Sequence, residues 1–501
     1  MVVWARTTGP VRTAFLASLL LSYIAVQGHL VNRDGIYYLE TAQAILEDGI
    51  GMALRNGGWN FLPLLIATLS AATTLGPETA AHGLNALLMA GTCALAVDLV
   101  RRRAPEAAWM ACLVVLAMPA YNQYRNEILR EYGFWFFCML GFWLAMRQKT
   151  SPRWRDALAS QFALAVAALF RLEAVAFYPA LMLWQAFSAP GGMKLKRVWM
   201  IGLLPMAGVT LAILLFGSGL IEPPHRVLYY LDAANPLGKL GLFREAAERL
   251  TTSVLNKYSR EEAGYVLFFG LLSIIPMKFL VMSGILVLPL GYQFAGQPLR
   301  AVLARWQPLP WALFAYLLVL LAFVTHQFFL VGRYVSLLNL LAVPFAACGL
   351  VLLLQRFPRW RMLMIVLVLL TMTANVVSLS PRKTQIVEAG RWLGENVRDA
   401  SRVGVSNSRI AYYAGWRPAS AGLIERDKMA EALASRKLDM VVIESSRKQG
   451  GAEKWLEENG LKPLRRFSNK AGDAVIVAGP ATAHASPEMT DRIRSKTDST
   501  Q

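Results

Sequence analysis

The chain has 501 residues, of which 55% are hydrophobic and only 17% charged, with a mean hydropathy of +0.41. A soluble protein carries about a quarter charged residues, so the composition excludes an ordinary soluble enzyme. The net charge of +19 does not point to nucleic acid, because the basic residues fall in short gaps between apolar runs, the footprint of positive-inside topology.

The first apolar run, Thr13 to Val26, follows Arg6 and Arg12 and meets a poor cleavage site at Gln27-Gly28-His29. That combination predicts an uncleaved signal anchor with a cytoplasmic N-terminus. Segment 80–100 ends in Arg101-Arg102-Arg103 and so must return inward, which leaves 29–79 outside. The apolar piece 60–76 is then a helix lying at the outer interface, with Pro63 in its first turn, where a missing N–H costs little. Segments 107–120 and 134–147 enclose an outer loop, 121–133, and segments 157–170 and 174–188 enclose the turn Arg171-Leu172-Glu173. Segment 198–216 leads into a long outer stretch, 217–262. The runs 263–292, 309–325, 335–354 and 361–379 complete roughly eleven crossings, an odd number that places the C-terminal part outside.

Past residue 380 the composition changes. Gln385 to Val397 reads as an amphipathic helix, Ser401 to Val405 as a strand, Lys428 to Ser435 as a helix and Leu438 to Ile443 as a buried strand. A helix in the 450s and a strand from Ala474 to Ala478 follow, so 381–480 is expected to be a small α/β domain. Residues 481–501 are rich in Ser, Thr, Asp and Lys and read as a disordered tail. The expected fold is therefore mainly α: a polytopic membrane domain over 1–380 with a periplasmic α/β domain behind it. Cys93, Cys112, Cys138 and Cys348 all lie in apolar segments with no CxxC pair, which supports neither a zinc site nor a disulfide framework.

Ionisable groups near membrane depth are costly and mark function, and the topology gathers them on one face. The first outer loop contributes Arg33, Asp34 and Glu40, and the second Arg125, Glu127, Arg130 and Glu131. The turn adds Arg171 and Glu173, and the loop near 330 adds His326, Arg333 and Tyr334. Arginine supplies bidentate recognition of phosphate near lipid, and a carboxylate can take a proton from an acceptor hydroxyl or orient it. Together they suit group transfer from a lipid-linked phosphate. Simpler roles stay open: Asp34 as a helix cap, Glu127, Arg130 and Glu131 as a helical ion-pair ladder, and Arg171 with Glu173 as a turn pair. His225, in the 217–262 loop with Glu222 and Arg226, could serve a lid or acceptor surface, and it has no partner at metal-ligand spacing.

An acid in the first outer loop, an interfacial apolar helix, many spans and a small outer C-terminal domain resemble the GT-C superfamily of membrane glycosyltransferases. The likeness is to bacterial relatives of protein O-mannosyltransferases and of the lipid A aminoarabinose transferase. The motifs that carry it are Arg33-Asp34-Gly35-Ile36-Tyr37-Tyr38-Leu39, Arg125 through Trp135, and Gly332-Arg333-Tyr334. The resemblance implies an enzyme of the bacterial inner membrane that moves a sugar from a polyprenyl-phosphate donor to a periplasmic lipid, glycan or protein. It makes Asp34 the base or acceptor-orienting acid, Glu127 or Glu131 the second acid, and Arg333 a donor-phosphate contact. Tyr334, Arg171 and Arg130 are further candidates for the donor phosphate, and Arg33, Glu40, His225 and His326 for the acceptor side or a lid. Many relatives carry a second acid after the first-loop Asp, where this chain has Gly35, and a Lys-Pro-Pro or His-Pro-Pro run where it has Asn60-Phe61-Leu62-Pro63. No dedicated metal cluster is expected, although Asp34 with Glu127 or Glu131 could hold Mg or Mn through oxygen ligands. An O-antigen ligase or polymerase, or a polyprenyl-lipid flippase, are the alternative readings.

Overall fold

The computed structural model describes residues 2–51, 61–147, 153–219, 222–223, 228, 232, 236–377, 382–417, 423–447 and 451–480. Two compact units emerge: Met1–Gln27 with Thr41–Ser378, and Gly28–Glu40 with Leu379–Gln501.

The first unit is helical, and the chain is a multi-pass membrane protein. Among the described residues, seven helices are long and apolar enough to cross a bilayer: Gly9–Val26, Pro77–Arg103, Gly191–Gly217, Arg260–Ala295, Leu309–Gln327, Gly332–Arg356 and Pro358–Val376. The other segments read as crossings are helical but shorter. Glu131–Arg147 and Trp154–Phe170 have 17 residues each, Phe177–Ser188 has 12 and Ala108–Ala117 has 10. At ~1.5 Å per residue, 17 residues rise about 25 Å, short of the ~30 Å hydrocarbon core. The apolar 60–76 segment forms a helix over Phe61–Ala72, with Pro63 in its first turn.

Packing inside this unit relies on close approach and buried polar ties, as expected where lipid supplies little drive for helices to associate. Gly349 lies against the Val287–Ala295 helix so closely that a Cβ there would sit 1.8 Å from the Pro289 carbonyl oxygen. Gly133 does the same for Phe170, whose ring would be 2.2 Å from an added Cβ. Pro205 removes one N–H from the Lys194–Gly217 helix. One turn before it, the buried Gln161 amide presents both ends to that helix. Its Nε2 donates to the Met200 carbonyl at 2.7 Å, and its Oε1 accepts from the Leu204 N–H at 2.8 Å. A buried polar group satisfied this way avoids the cost of an orphan in an apolar medium.

The second unit holds a four-stranded sheet in the order β1-β2-β4-β3. Val403–Val405 (β1) runs parallel to Met440–Ser445 (β2), and Ala474–Pro480 (β4) pairs antiparallel with both β2 and Leu461–Ser468 (β3). Val441, Ile443, Ile476 and Ala478 meet Met429 and Leu433 of the Arg426–Ala434 helix and Leu456 of the Ala452–Glu458 helix in one core. The Thr384–Asn396 helix approaches the Ser408–Tyr413 helix through Gly390 and Gly394, whose added Cβ atoms would meet the Ile410 and Ala414 carbonyl oxygens at 2.8 and 2.5 Å. The segment 28–40 belongs to this unit. The Val31 N–H donates to the Tyr413 hydroxyl at 3.1 Å, and Gly28, at φ +75°, packs on the Arg382 guanidinium, a backbone conformation that a side chain would strain. His29 is pushed below its ordinary pKa by burial and by Arg382.

Candidate active site

Three chain breaks in the helical unit bring charges together. The Glu131–Arg147 helix starts on its own carboxylate, where the positive end of the helix dipole favours an acid. The Trp154–Phe170 helix stops at Arg171, whose backbone is extended at φ −148°, ψ 120° before the short 3-10 turn Leu172–Ala176. The Gly332–Arg356 helix opens with Arg333 and Tyr334 in its first turn. Gly133 lets the first of these breaks lie against Phe170, and so next to Arg171.

Arg171 is the centre of the cluster. Its Nη1 donates to Glu131 Oε1 at 2.8 Å and its Nη2 to Glu173 Oε1 at 2.5 Å, with the Nε at 3.2 Å from the same Glu173 oxygen. All three side chains are buried, at 4%, 3% and 8% exposure. Arg333 reaches Glu131 Oε1 with its Nε at 3.5 Å and keeps 20% of its side chain exposed. The Arg171 guanidinium lies 4.3 Å from the centre of the Tyr334 ring and that of Arg333 5.6 Å from the same ring, geometries in which a ring face attracts a cation. The Tyr334 carbonyl accepts from the buried Tyr316 hydroxyl at 2.8 Å, which fixes the start of that helix.

Burial opposes the charge on both Arg171 and Glu173, but each offsets it for the other. Glu173 and Glu131 raise Arg171 well above its ordinary value, and Arg171 holds the Glu173 carboxyl below its ordinary range. Arg130 adds to the lowering of Glu173. Tyr124 shifts upward, first through burial and then through Glu127.

Of the residues singled out in the sequence, the structure gathers Glu131, Arg171, Arg333 and Tyr334 and adds Glu173, which read equally well as half of a turn pair. Glu127 and Arg130 lie half-buried in the turns before Glu131. No helix runs through 123–130, so a helical ladder of Glu127, Arg130 and Glu131 does not form; Glu131 pairs across the fold instead. His326 is half-buried in the last turn of the Leu309–Gln327 helix. Asp34, Arg33 and Glu40 belong to the other unit. Asp34 is half-buried in the first turn of the Arg33–Asp48 helix, Arg33 is exposed and Glu40 is half-buried. His225 falls outside the described residues. Among the described residues, no group of three or more His, Cys, Asp or Glu side chains gathers to hold a metal ion.

Arg125 has a structural role that the sequence reading did not assign. Its buried guanidinium donates to Asn122 Oδ1 at 2.7 Å, Ser22 Oγ at 2.8 Å, Ser18 Oγ at 3.0 Å and the Ser18 carbonyl at 3.1 Å. This ties the start of the second loop to the first apolar helix. The available signal was Ser18 and Ser22, one helical turn apart on an otherwise apolar face.

No protein-family model matches the chain, and no curated protein matches it. Among solved structures, ArnT from Cupriavidus metallidurans in the apo state is similar at a TM-score of 0.49 and 11% identity, over 92% of this chain and 97% of that one. The archaeal oligosaccharyltransferase AglB from Archaeoglobus fulgidus, in complex with an inhibitory peptide and a dolichol-phosphate, is similar at 0.49 and 11%, over 86% of this chain and 69% of that one. The mycobacterial arabinofuranosyltransferase AftD is similar at 0.47 and 15%; this chain is covered over 95% but spans only 42% of AftD. These likenesses assign no role to any residue here.

Proposed function

We propose that this protein is an integral-membrane glycosyltransferase that moves a sugar from a polyprenyl-phosphate donor to an acceptor on the outer face of a bacterial inner membrane. The observation that carries the reading is the arginine pair: Arg171, buried between two carboxylates, and Arg333, partly exposed on the same Glu131. Arg171 is fixed and fully charged, so it supplies a preorganised positive field. Arg333, the exposed member, contacts the donor phosphate, and Glu131 and Tyr334 orient it. An acceptor hydroxyl attacks the anomeric carbon, the carbon–oxygen bond to the phosphate breaks, and the bond pair leaves with the polyprenyl phosphate, whose charge the arginines offset. Asp34 takes the acceptor's proton or orients its hydroxyl.

The test is transfer from radiolabelled polyprenyl-phosphate pentoses and hexoses by the full-length protein in lipid vesicles carrying cell-envelope acceptor lipids and glycans. Arg333→Ala is expected to lower kcat/KM for the donor by about 10–100-fold, the worth of a charge-assisted hydrogen bond. A protein that binds polyprenyl phosphate no better than the uncharged polyprenol would overturn the proposal.

A further inference from the structure

At the other end of the Glu131–Arg147 helix lies a second cationic feature, with no part in the reaction proposed above. The Pro77–Arg103 and Glu131–Arg147 helices finish side by side, and a cleft of about 270 Å³ opens between their ends, lined by Leu99, Arg102, Arg103, Trp143, Met146 and Arg147. Among the described residues, half of its lining is arginine and none is acid. The guanidinium carbons of Arg102 and Arg147 stand 4.9 and 5.1 Å from the centre of the Trp143 ring. The ring is pinned, because its Nε1 donates to Asp98 Oδ2 at 2.8 Å, and the same oxygen accepts from Arg102 Nε at 2.6 Å. Arg103 is bracketed from outside: its Nη1 donates to the Arg305 carbonyl at 3.1 Å, and Arg305 returns an Nη2 donor to the Arg103 carbonyl at 2.8 Å.

The charge balance is positive. Asp98 is engaged by Arg101 and Arg102, and Asp156 stands 4.0 Å from Arg147. Each helix C-terminus adds only about half a negative charge. Each guanidinium has five N–H donors, and the contacts named for Arg102 and Arg103 use only part of theirs. A rule that merely keeps basic residues on one side of the membrane asks for charge, not for guanidiniums arranged on a hydrogen-bonded tryptophan. Leu99 and Met146, both buried, give the cleft apolar lining beside its cations. That pairing fits a phosphodiester with hydrocarbon attached.

We propose that this cleft, where Arg102, Arg103 and Arg147 surround the pinned Trp143, binds the phosphate headgroup of an anionic membrane lipid. The shared chemistry is a phosphate oxyanion, and a free phosphate is the competing source. Native mass spectrometry of the full-length protein in detergent, titrated with phosphatidylglycerol, phosphatidylcholine and inorganic phosphate, separates them. Phosphatidylglycerol is expected to bind at least about tenfold more tightly than phosphatidylcholine, and inorganic phosphate not to displace it. Displacement by inorganic phosphate would keep the anion site but assign it to a soluble phosphate. The Arg102→Lys/Arg147→Lys variant preserves the charge that sets topology and removes the planar forks; it should weaken phosphatidylglycerol about tenfold or more. Arg101→Lys, on the same helix but outside the cleft lining, should bind as the unsubstituted protein does, and it serves as the control for folding. Equal binding of the two lipids, or the same weakening in Arg101→Lys as in the double variant, would overturn the proposal.

Discussion

Arg171→Met is the substitution whose consequences follow most directly from the geometry. It removes a guanidinium that is 4% exposed and leaves two carboxylates behind. Glu131 retains Arg333 at 3.5 Å, whereas Glu173 loses its hydrogen-bonded partner and keeps only the weaker pull of Arg130. Removing one partner of a buried pair costs about 3–5 kcal/mol, and that range is the expected loss. The sign of its pH dependence also follows. In the unsubstituted protein Arg171 holds Glu173 below its ordinary 4.5, so the pair's contribution is complete above 4.5 and fades as pH falls through the depressed value. In the variant burial dominates and raises the Glu173 pKa, so the folded state is favoured as the proton arrives. The deficit of the variant should therefore be largest at neutral pH and shrink on acidification toward and below 4.5. Thermal unfolding of both proteins in detergent, followed by intrinsic fluorescence across a pH series, measures it. Adding Glu173→Gln to Arg171→Met should recover part of the loss at neutral pH. A deficit that is absent, or that stays constant with pH, would refute the ion-pair account.

Three other outcomes are expected. Asp34→Asn should lower transfer by about 10²–10⁴-fold, the usual worth of a general base, with expression and elution unchanged; transfer at the unsubstituted rate would remove Asp34 from the mechanism. Gly349→Ala should cost about 1–3 kcal/mol through overpacking, because its Cβ would overlap the Pro289 carbonyl; an unaltered unfolding midpoint would show that the two helices separate freely. A reporter active only in the periplasm, fused after residue 480, should be active, and a silent fusion would overturn the outward orientation of the C-terminal unit.

The apolar helices were legible because length and hydropathy are local properties. The C-terminal sheet was half legible for the same reason. Met440–Ser445 and Ala474–Pro480 are runs of Val and Ile buried on both faces, whereas Leu461–Ser468 reads Leu-Lys-Pro-Leu-Arg-Arg-Phe-Ser and gave no strand signal. It is an edge strand, where proline and charge are tolerated, and its pairing shifts register between Pro463 and Arg465. In the candidate site, the arginines and acids were visible as residue types near helix ends, but their partners were not. Glu131 finds Arg171 40 positions away and Arg333 on a third helix, a choice made by packing through Gly133 rather than by spacing. Arg125 was harder still, since its partners are hydroxyls and carbonyls that carry no charge pattern.

The tie between Val31 and Tyr413 has a consequence for biogenesis. The two residues are 382 positions apart, and at ~5–20 residues per second of synthesis the second arrives roughly 20–80 s after the first. During that interval the segment that carries Asp34 lacks the Tyr413 hydroxyl that its Val31 N–H meets in the finished fold, and only the local bonds of the Arg33–Asp48 helix are open to it. Its final conformation is among the last to be settled, and a ribosome that stalls before residue 413 leaves a protein with most of its helices made and the Asp34 segment unsecured.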